Sequence, residues 1–125
     1  MQYAFTTDYP PSVNNLYVTT KSGKKCLSKR HVKFRNQLYF DAVEQCGRVI
    51  KPITGDAKLI VLLSPPDNRV RDVDNALKSL FDGIKKARMI NDDSQIKTLY
   101  VRMLAKKRGG SCSVKIKAIG ASEHD

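Results

Sequence analysis

The chain has no tryptophan, two histidines and three cysteines in 125 residues. Cys26, Cys46 and Cys112 are odd in number and far apart. They have neither the pattern of a disulfide framework nor metal-ligand spacing, so buried, reduced thiols are expected. Aromatic residues make up 7% and are scattered, which leaves no stacking platform of the kind that reads single-stranded RNA. No apolar run approaches the roughly 20 residues of a membrane-spanning helix, and no basic amphipathic helix stands out to lie on a membrane. The opening MQYAFTTDYPPS lacks the charged start and apolar stretch of a signal peptide, so a cytoplasmic protein is expected. Repeats and low-complexity tracts are absent as well.

Acids are scarce. Twelve Asp and Glu face 23 Lys and Arg, a formal net charge of +11. Such a chain attracts anionic partners, nucleic acid first among them. With 41% hydrophobic residues, the composition fits a folded chain, and the length fits one domain over residues 1–125.

The few acids are unevenly placed. Asp67, Asp72, Asp74, Asp82, Asp92 and Asp93, half of the twelve, fall between Asp67 and Gln95. Carboxylates gathered in a cationic chain point to a place where a divalent metal meets a polyanion. Mg²⁺ takes hard oxygen ligands from one or two carboxylates plus substrate phosphate.

Periodicity predicts the elements around this stretch. Gln2 to Thr7 alternates as a strand. PPSVNNLYV, Pro10 to Val18, is a loop rich in turn formers and amides, either an ordinary surface loop or one whose Asn14, Asn15 and Tyr17 touch phosphate or a base. Lys21, Lys24, Lys25, Lys29 and Arg30 surround Gly23 in a basic hairpin or loop suited to neutralising phosphates. Ser28 to Gln45 repeats at helical spacing, capped by Ser28 and stopped by Gly47. His31, without a visible partner, is expected at the surface. The unbroken run Leu59 to Leu63 suits a strand buried on both faces. A second helix is predicted from about Asp74 to Arg88, with Val73, Leu77, Leu80, Phe81, Ile84 and Ala87 as its apolar stripe. Gln95 to Leu104, with Leu99, Val101 and Met103 inward, and Cys112 to Ala118 complete a β-α-β-α-β-β order. The fold class is α/β (α+β): a small mixed sheet with two helices.

Asp72 and Asp74 have a plain alternative role as helix caps. One cap needs one Asp, however, and neighbouring carboxylates repel unless a cation lies between them. Asp92 and Asp93 follow the second helix, where acids oppose its dipole. Lys78 lies one turn after Asp74. It is either an i,i+4 ion-pair partner or a cation placed against charge developing on phosphate.

PPSVNN (Pro10 to Asn15), RDVDNALKSLFD (Arg71 to Asp82) and NDDSQI (Asn91 to Ile96) together resemble the RusA family of Holliday junction resolvases, over nearly the whole chain. The resemblance implies a RusA-like fold and essential acids at Asp72, Asp74 and Asp93, with Asp92 adjacent and an essential lysine at Lys78. It further implies a Mg²⁺-dependent homodimer, with Mn²⁺ as the other candidate ion, that cuts four-way DNA junctions by paired symmetric nicks; recombination, repair and phage DNA processing are all open as its setting. One departure is Val13, which interrupts the family's usual P-P-S-N-N.

The expected metal ligands are Asp72, Asp74 and Asp93. Lys21, Lys24, Lys25, Lys29, Arg30, Arg69, Arg71, Lys106, Lys107 and Arg108, with Asn14 and Asn15, form the expected DNA surface. A geometric difficulty follows. About 14 helical residues separate Asp74 from Asp93 by roughly 20 Å, and ligands about 2.1 Å from one Mg²⁺ cannot span that. Either the turn after Arg88 folds back a long way, or Asp93 comes from a second subunit; the hypothesis followed is a two-fold dimer in which antiparallel second helices bring Asp72 and Asp74 of one chain towards Asp93 of the other. The main rival reading is a basic nucleic-acid-binding module without catalysis, and a regulatory partner protein is a third.

Overall fold

The alternation of apolar and polar residues along the strands produces a sheet with one helix-covered face. The computed structural model describes residues 1–14 and 17–120. In chain order it contains β1 (Gln2–Thr7), β2 (Tyr17–Thr19), β3 (Lys25–Leu27), α1 (Lys29–Cys46), β4 (Ala57–Ser64), α2 (Val73–Lys86), a 3₁₀ turn (Asp93–Gln95), β5 (Ile96–Met103) and β6 (Ser111–Ala118). The main sheet has the order β1-β6-β4-β5, and β2 and β3 form a separate hairpin. β4 runs parallel to β5, and the other pairs are antiparallel. Among the described residues the hairpin and the 3₁₀ turn are additions to the expected order; β3 lies in the segment read as a basic hairpin or loop, and β2 begins in the loop before it.

α1 starts and stops where its sequence signals stand. Ser28 caps it by accepting from the His31 N–H, and Gly47 ends it at φ 65°, a left-handed conformation that glycine adopts without a Cβ penalty. His31 departs from expectation. It is only 3% exposed, its Nδ1 lies 2.6 Å from Ser28 Oγ, and burial pushes its pKa down, favouring the neutral ring.

Tyr3 and Phe5 of β1, Leu59, Val61 and Leu63 of β4, and Val114 and Ile116 of β6 pack with Phe34, Leu38 and Ala42 of α1 and Ala76, Leu80 and Ile84 of α2. At Gly83 of α2 an added Cβ would meet Leu38 Cδ1 at 3.1 Å, so the missing side chain lets the helices approach. β4 is not buried on both faces as expected. Lys58, Ile60, Leu62 and Ser64 alternate with its buried positions and are only half-buried, because the helices cover one face.

The sheet's two edges are treated differently. The outer edge of β1 is bonded by side chains of α1 and its exit. Gln45 accepts from the Thr6 N–H at 2.8 Å and donates to the Thr6 carbonyl at 2.7 Å. Cys46 Sγ donates to Ala4 O at 3.5 Å, and Arg48 reaches Gln2 O. No comparable side-chain cover meets β5 among the described residues.

Truncating Leu80, which is fully buried, should cost about 2–5 kcal/mol, a buried Leu→Ala loss with its residual cavity. Val49→Ala, at a position 72% exposed, should change stability by less than about 0.5 kcal/mol. Urea denaturation checks both, and equal losses would contradict this core.

Candidate active site

Two prolines, Pro65 and Pro66, end β4 and prevent its ladder from continuing. The turn that follows is built on Asp67. Its carboxylate accepts from the Arg69 N–H at 2.9 Å and from Arg71 Nη1 at 2.7 Å. The Arg71 bond, foremost, holds the Asp67 pKa far below the usual carboxylate range. Arg71 also lies over the Tyr9 ring, 5.7 Å from its centroid. These contacts set the entry to α2.

Asp72 occupies the N-cap position of α2 at φ −84° and ψ 127°, yet its side chain makes no capping hydrogen bond. Capping therefore does not account for it. Asp74 follows in the first turn. Asp72, Asp74 and Lys78 are all exposed, and no ion pair joins Asp74 to Lys78 among the described residues. The start of α2 thus presents two uncommitted carboxylates and, one turn on, an uncommitted ammonium.

Farther along the helix, Val13, Lys78, Phe81, Asp82 and Asp93 line a depression of about 310 Å³. Ser79 Oγ donates to Pro11 O and so holds the PPSVNN loop on α2. That contact explains how Val13, the interrupting residue, comes to sit beside Lys78. Lys85 Nζ lies 3.8 Å from Asp82 Oδ1 and 3.5 Å from Asp93 Oδ1, and Arg35 Nη2 lies 3.8 Å from Asp82 Oδ2. Asp93 Oδ1 is shielded from solvent and accepts no hydrogen bond among the described residues. A larger groove, about 640 Å³, lies between Leu27 and α1. Its lining contains no carboxylate, so it is not where the expected chemistry gathers.

The two acids of the NDDS turn have different employment. Asp92 is structural: it accepts from the Ser94 N–H at 3.0 Å and forms a capping box with Gln95. Gln95 Oε1 accepts from the N–H groups of Asn91 and Asp92, while its amide donates to Ile53 O at 2.6 Å and Gly55 O at 2.8 Å. Gln95 therefore pins the turn to the loop before β4 and fixes where Asp93 stands. Gln95 belongs to the NDDSQI motif, and its capping role is readable there as the pattern D-x-x-Q. Asp82 and Arg35 were also passed over as neighbours of this site, since only the packing of α1 on α2 brings them together.

The expected DNA surface is dispersed. Lys21, Lys24 and Lys25 on the β2–β3 hairpin, Lys29 and Arg30 at the start of α1, and Lys106, Lys107 and Arg108 in the turn after β5 are all exposed. Arg69 and Arg71 both pair with Asp67, at 3.3 Å and 2.7 Å, and Arg71 is only 19% exposed. Asn14 is exposed, its N–H donating to Ser12 Oγ at 3.1 Å. Asn15 lies outside the described residues.

Carboxylate oxygens are suitable donors for a hard divalent cation. Even so, no three His, Cys, Asp or Glu side chains come together to hold one among the described residues. Asp72 and Asp74 stand at the start of α2, whereas Asp93 follows its end and folds back along it, beside Lys78, Asp82 and Lys85. The three expected ligands are thus not gathered into one cluster among the described residues.

Comparison with known proteins agrees with the motif resemblance. A family model described as Endodeoxyribonuclease RusA matches residues 8–117. The chain is 30% identical over 118 residues to the crossover junction endodeoxyribonuclease of Enterobacteria phage HK97, covering 92% of this chain and 93% of that one. It is 32% identical over 124 residues to proteins of the same name from Shigella sonnei and Enterobacteria phage 82, covering 94% of this chain and 96% of each relative.

The Asp92 assignment has a pH signature. Its bond with Ser94, first among the causes, lowers its pKa below the ordinary 3.8. A carboxylate whose folded pKa is depressed contributes stability above its unfolded pKa and loses it as pH falls through the folded value. Asp92→Ala should therefore lower the urea midpoint at neutral pH, and the gap to wild type should close below about pH 4. Asp92→Asn, still a good cap, should keep more of that stability. Equal midpoints for wild type and Asp92→Ala at pH 7 would contradict the structural role.

Proposed function

This chain belongs to the RusA endodeoxyribonuclease family, and from that premise we propose that it is an endonuclease hydrolysing phosphodiesters in four-way DNA junctions. The observation that carries the reading is the pair of exposed, uncapped carboxylates Asp72 and Asp74, one turn from Lys78, in a chain of net charge +11. A pure binding protein for a polyanion has no use for free carboxylates at its centre, which repel phosphate unless a cation stands between. The homologues named crossover junction endodeoxyribonucleases supply the substrate class.

The catalytic set in this reading is Asp72, Asp74, Asp93 and Lys78. Lys78 places its ammonium against the negative charge that grows on the phosphoryl oxygens as water attacks phosphorus and the P–O bond to the leaving sugar breaks. The carboxylates are the groups for a divalent cation, Mg²⁺ or Mn²⁺, which supplies an activated water and charge at the phosphate. Because no three ligating side chains of one chain gather among the described residues, the site in this reading belongs to a homodimer: Asp72 and Asp74 come from one subunit and Asp93 from the other. A two-fold axis then makes two equal sites, matching a junction in which two like strands are cut.

The exposed cations of the hairpin, the start of α1 and the turn after β5 hold the sugar-phosphate backbone. Phosphate contacts position a duplex without reading its sequence, so junction shape selects the substrate.

Incubating the protein with a synthetic four-way junction, a Y-fork and a linear duplex, with Mg²⁺ and with EDTA, tests the substrate. Paired nicks in the junction with Mg²⁺ only are expected, and equal cutting of the linear duplex would overturn the reading. Asp74→Asn should abolish nicking while junction binding survives, and Lys78→Ala should slow nicking by about 10²–10³-fold. Mixing Asp74→Asn with Asp93→Asn subunits should restore one working site per mixed dimer. A mixture no more active than either variant would count against sharing.

A further inference from the structure

We propose that the groove between the β2–β3 hairpin and α1 is a nucleobase subsite, which takes one unstacked base of the branched DNA while its lysines hold the flanking phosphates. The proposal rests on the DNA reading above and adds a place where a base, rather than backbone alone, is gripped.

The sequence puts apolar residues on a helix face that the fold leaves uncovered. His31, Phe34, Leu38 and Ala42 are the buried residues of α1. Val32, Asn36 and Phe40 recur at i,i+4 spacing along another face, where Val32 is 43% and Phe40 59% exposed. With Leu27 of β3 they line a groove of about 640 Å³. Leu27 pairs with Tyr17 across the hairpin, and residues directly opposite in an antiparallel pair share a face. The Tyr17 ring, itself exposed, therefore stands on the Leu27 face. Tyr17 on the hairpin and Phe40 on the helix, distant in sequence, thus border one apolar surface.

The charges around this surface are of one sign. Lys29 and Lys33 line the groove, and Lys25 shares the hairpin face of Leu27, two residues before it. No carboxylate lines the groove among the described residues. Asp41, which follows Phe40, is engaged elsewhere: it accepts from Thr7 Oγ1 at 2.8 Å and from Gln37 Nε2 at 2.9 Å. Lysines around an apolar slot suit a polyanion that carries flat apolar faces, and a nucleic-acid strand has both. The rim is also continuous with Lys24, Lys25, Lys29 and Arg30, the cations that hold the sugar-phosphate backbone in the reading above. That continuity selects DNA over an acidic protein.

Stacking on an aromatic ring tolerates any base, because every base has a π-face. The Asn36 amide adds a donor and an acceptor for a base edge. In a linear duplex the base faces are covered by their neighbours, whereas a base freed at a branch can be splayed out and stacked on a side chain. The groove therefore favours branched DNA without reading its sequence. It also stands near the acids. Arg35 of the same helix lies 3.8 Å from Asp82 of α2, which lines the depression with Lys78 and Asp93. Groove and depression thus belong to one helix pair.

Base-dependent affinity and photo-cross-linking test the subsite in the full chain. The probes are octathymidylate, an abasic octamer with the same phosphates, and a four-way junction with 5-iododeoxyuridine at its centre or in one arm. Wild type should bind octathymidylate about 10-fold more tightly than the abasic octamer, the effect of one stacked base. Phe40→Ala should remove that difference and leave the abasic affinity and the thermal midpoint unchanged, whereas Phe40→Tyr should keep it. Ultraviolet cross-links from the junction centre should map to Phe40 or Tyr17, and those from the arm should not. Equal affinity of wild type for the two octamers, or a Phe40→Ala protein that still prefers octathymidylate, would overturn the subsite. So would a phenylalanine-ended acidic peptide that binds through Phe40 when octathymidylate does not, which gives the groove to a protein partner. Junction nicking alongside either result leaves the endonuclease reading intact. Phe40-dependent base binding in a protein that nicks no junction keeps the subsite and removes that reading.

Discussion

Parallel pairing of β4 with β5 is the constraint on which the functional geometry depends. Parallel neighbours need a crossover, and here α2 makes it, returning from the end of β4 to the start of β5. Asp72 and Asp74 stand at the start of the crossover helix, and Asp93 follows its end but folds back beside Lys78, Asp82 and Lys85. The acids that the motifs put within one short stretch still do not gather, and no cluster of three ligating side chains forms among the described residues.

The surroundings keep the separated groups ready. Asp67 binds the arginines that precede α2, and Asp72 takes the N-cap position without engaging the helix. At the other end Asp92 and Gln95 complete a capping box, and Gln95 reaches back to Ile53 and Gly55. Asp93 is thereby held in place, its Oδ1 3.5 Å from Lys85 Nζ and without a hydrogen bond among the described residues. The acids that bind protein structure, Asp67 and Asp92, are interleaved with the exposed pair Asp72 and Asp74, and only the contacts tell them apart.

Much of this was legible from residue pattern. The alternation in β1 and β6, the cap at Ser28, the stop at Gly47 and the apolar stripe of α2 each depend on neighbours close in sequence, so periodicity reveals them. The burial of β4 was misjudged, because Leu59 to Leu63 is apolar throughout and the run cannot say that the helices cover a single face. His31 was misplaced for a similar reason: its partner Ser28 is local, but its burial comes from packing at long range. The proposed site residues were named from the motifs, whereas their placement follows from how the turn over 91–95 packs on α2, which composition does not encode. Arg69 and Arg71 looked like free phosphate ligands until the turn showed them paired with Asp67.

The central claim is that the acids become a binding site only when two chains meet. The most direct measurement is Mn²⁺ binding, followed by electron paramagnetic resonance, at protein concentrations spanning the monomer–dimer equilibrium. Metal uptake per chain should rise with the dimer fraction, since a ligand that binds only the assembled form draws the equilibrium with it. Tight uptake by dilute monomer, unchanged as dimer forms, would show that one chain holds the ion by itself.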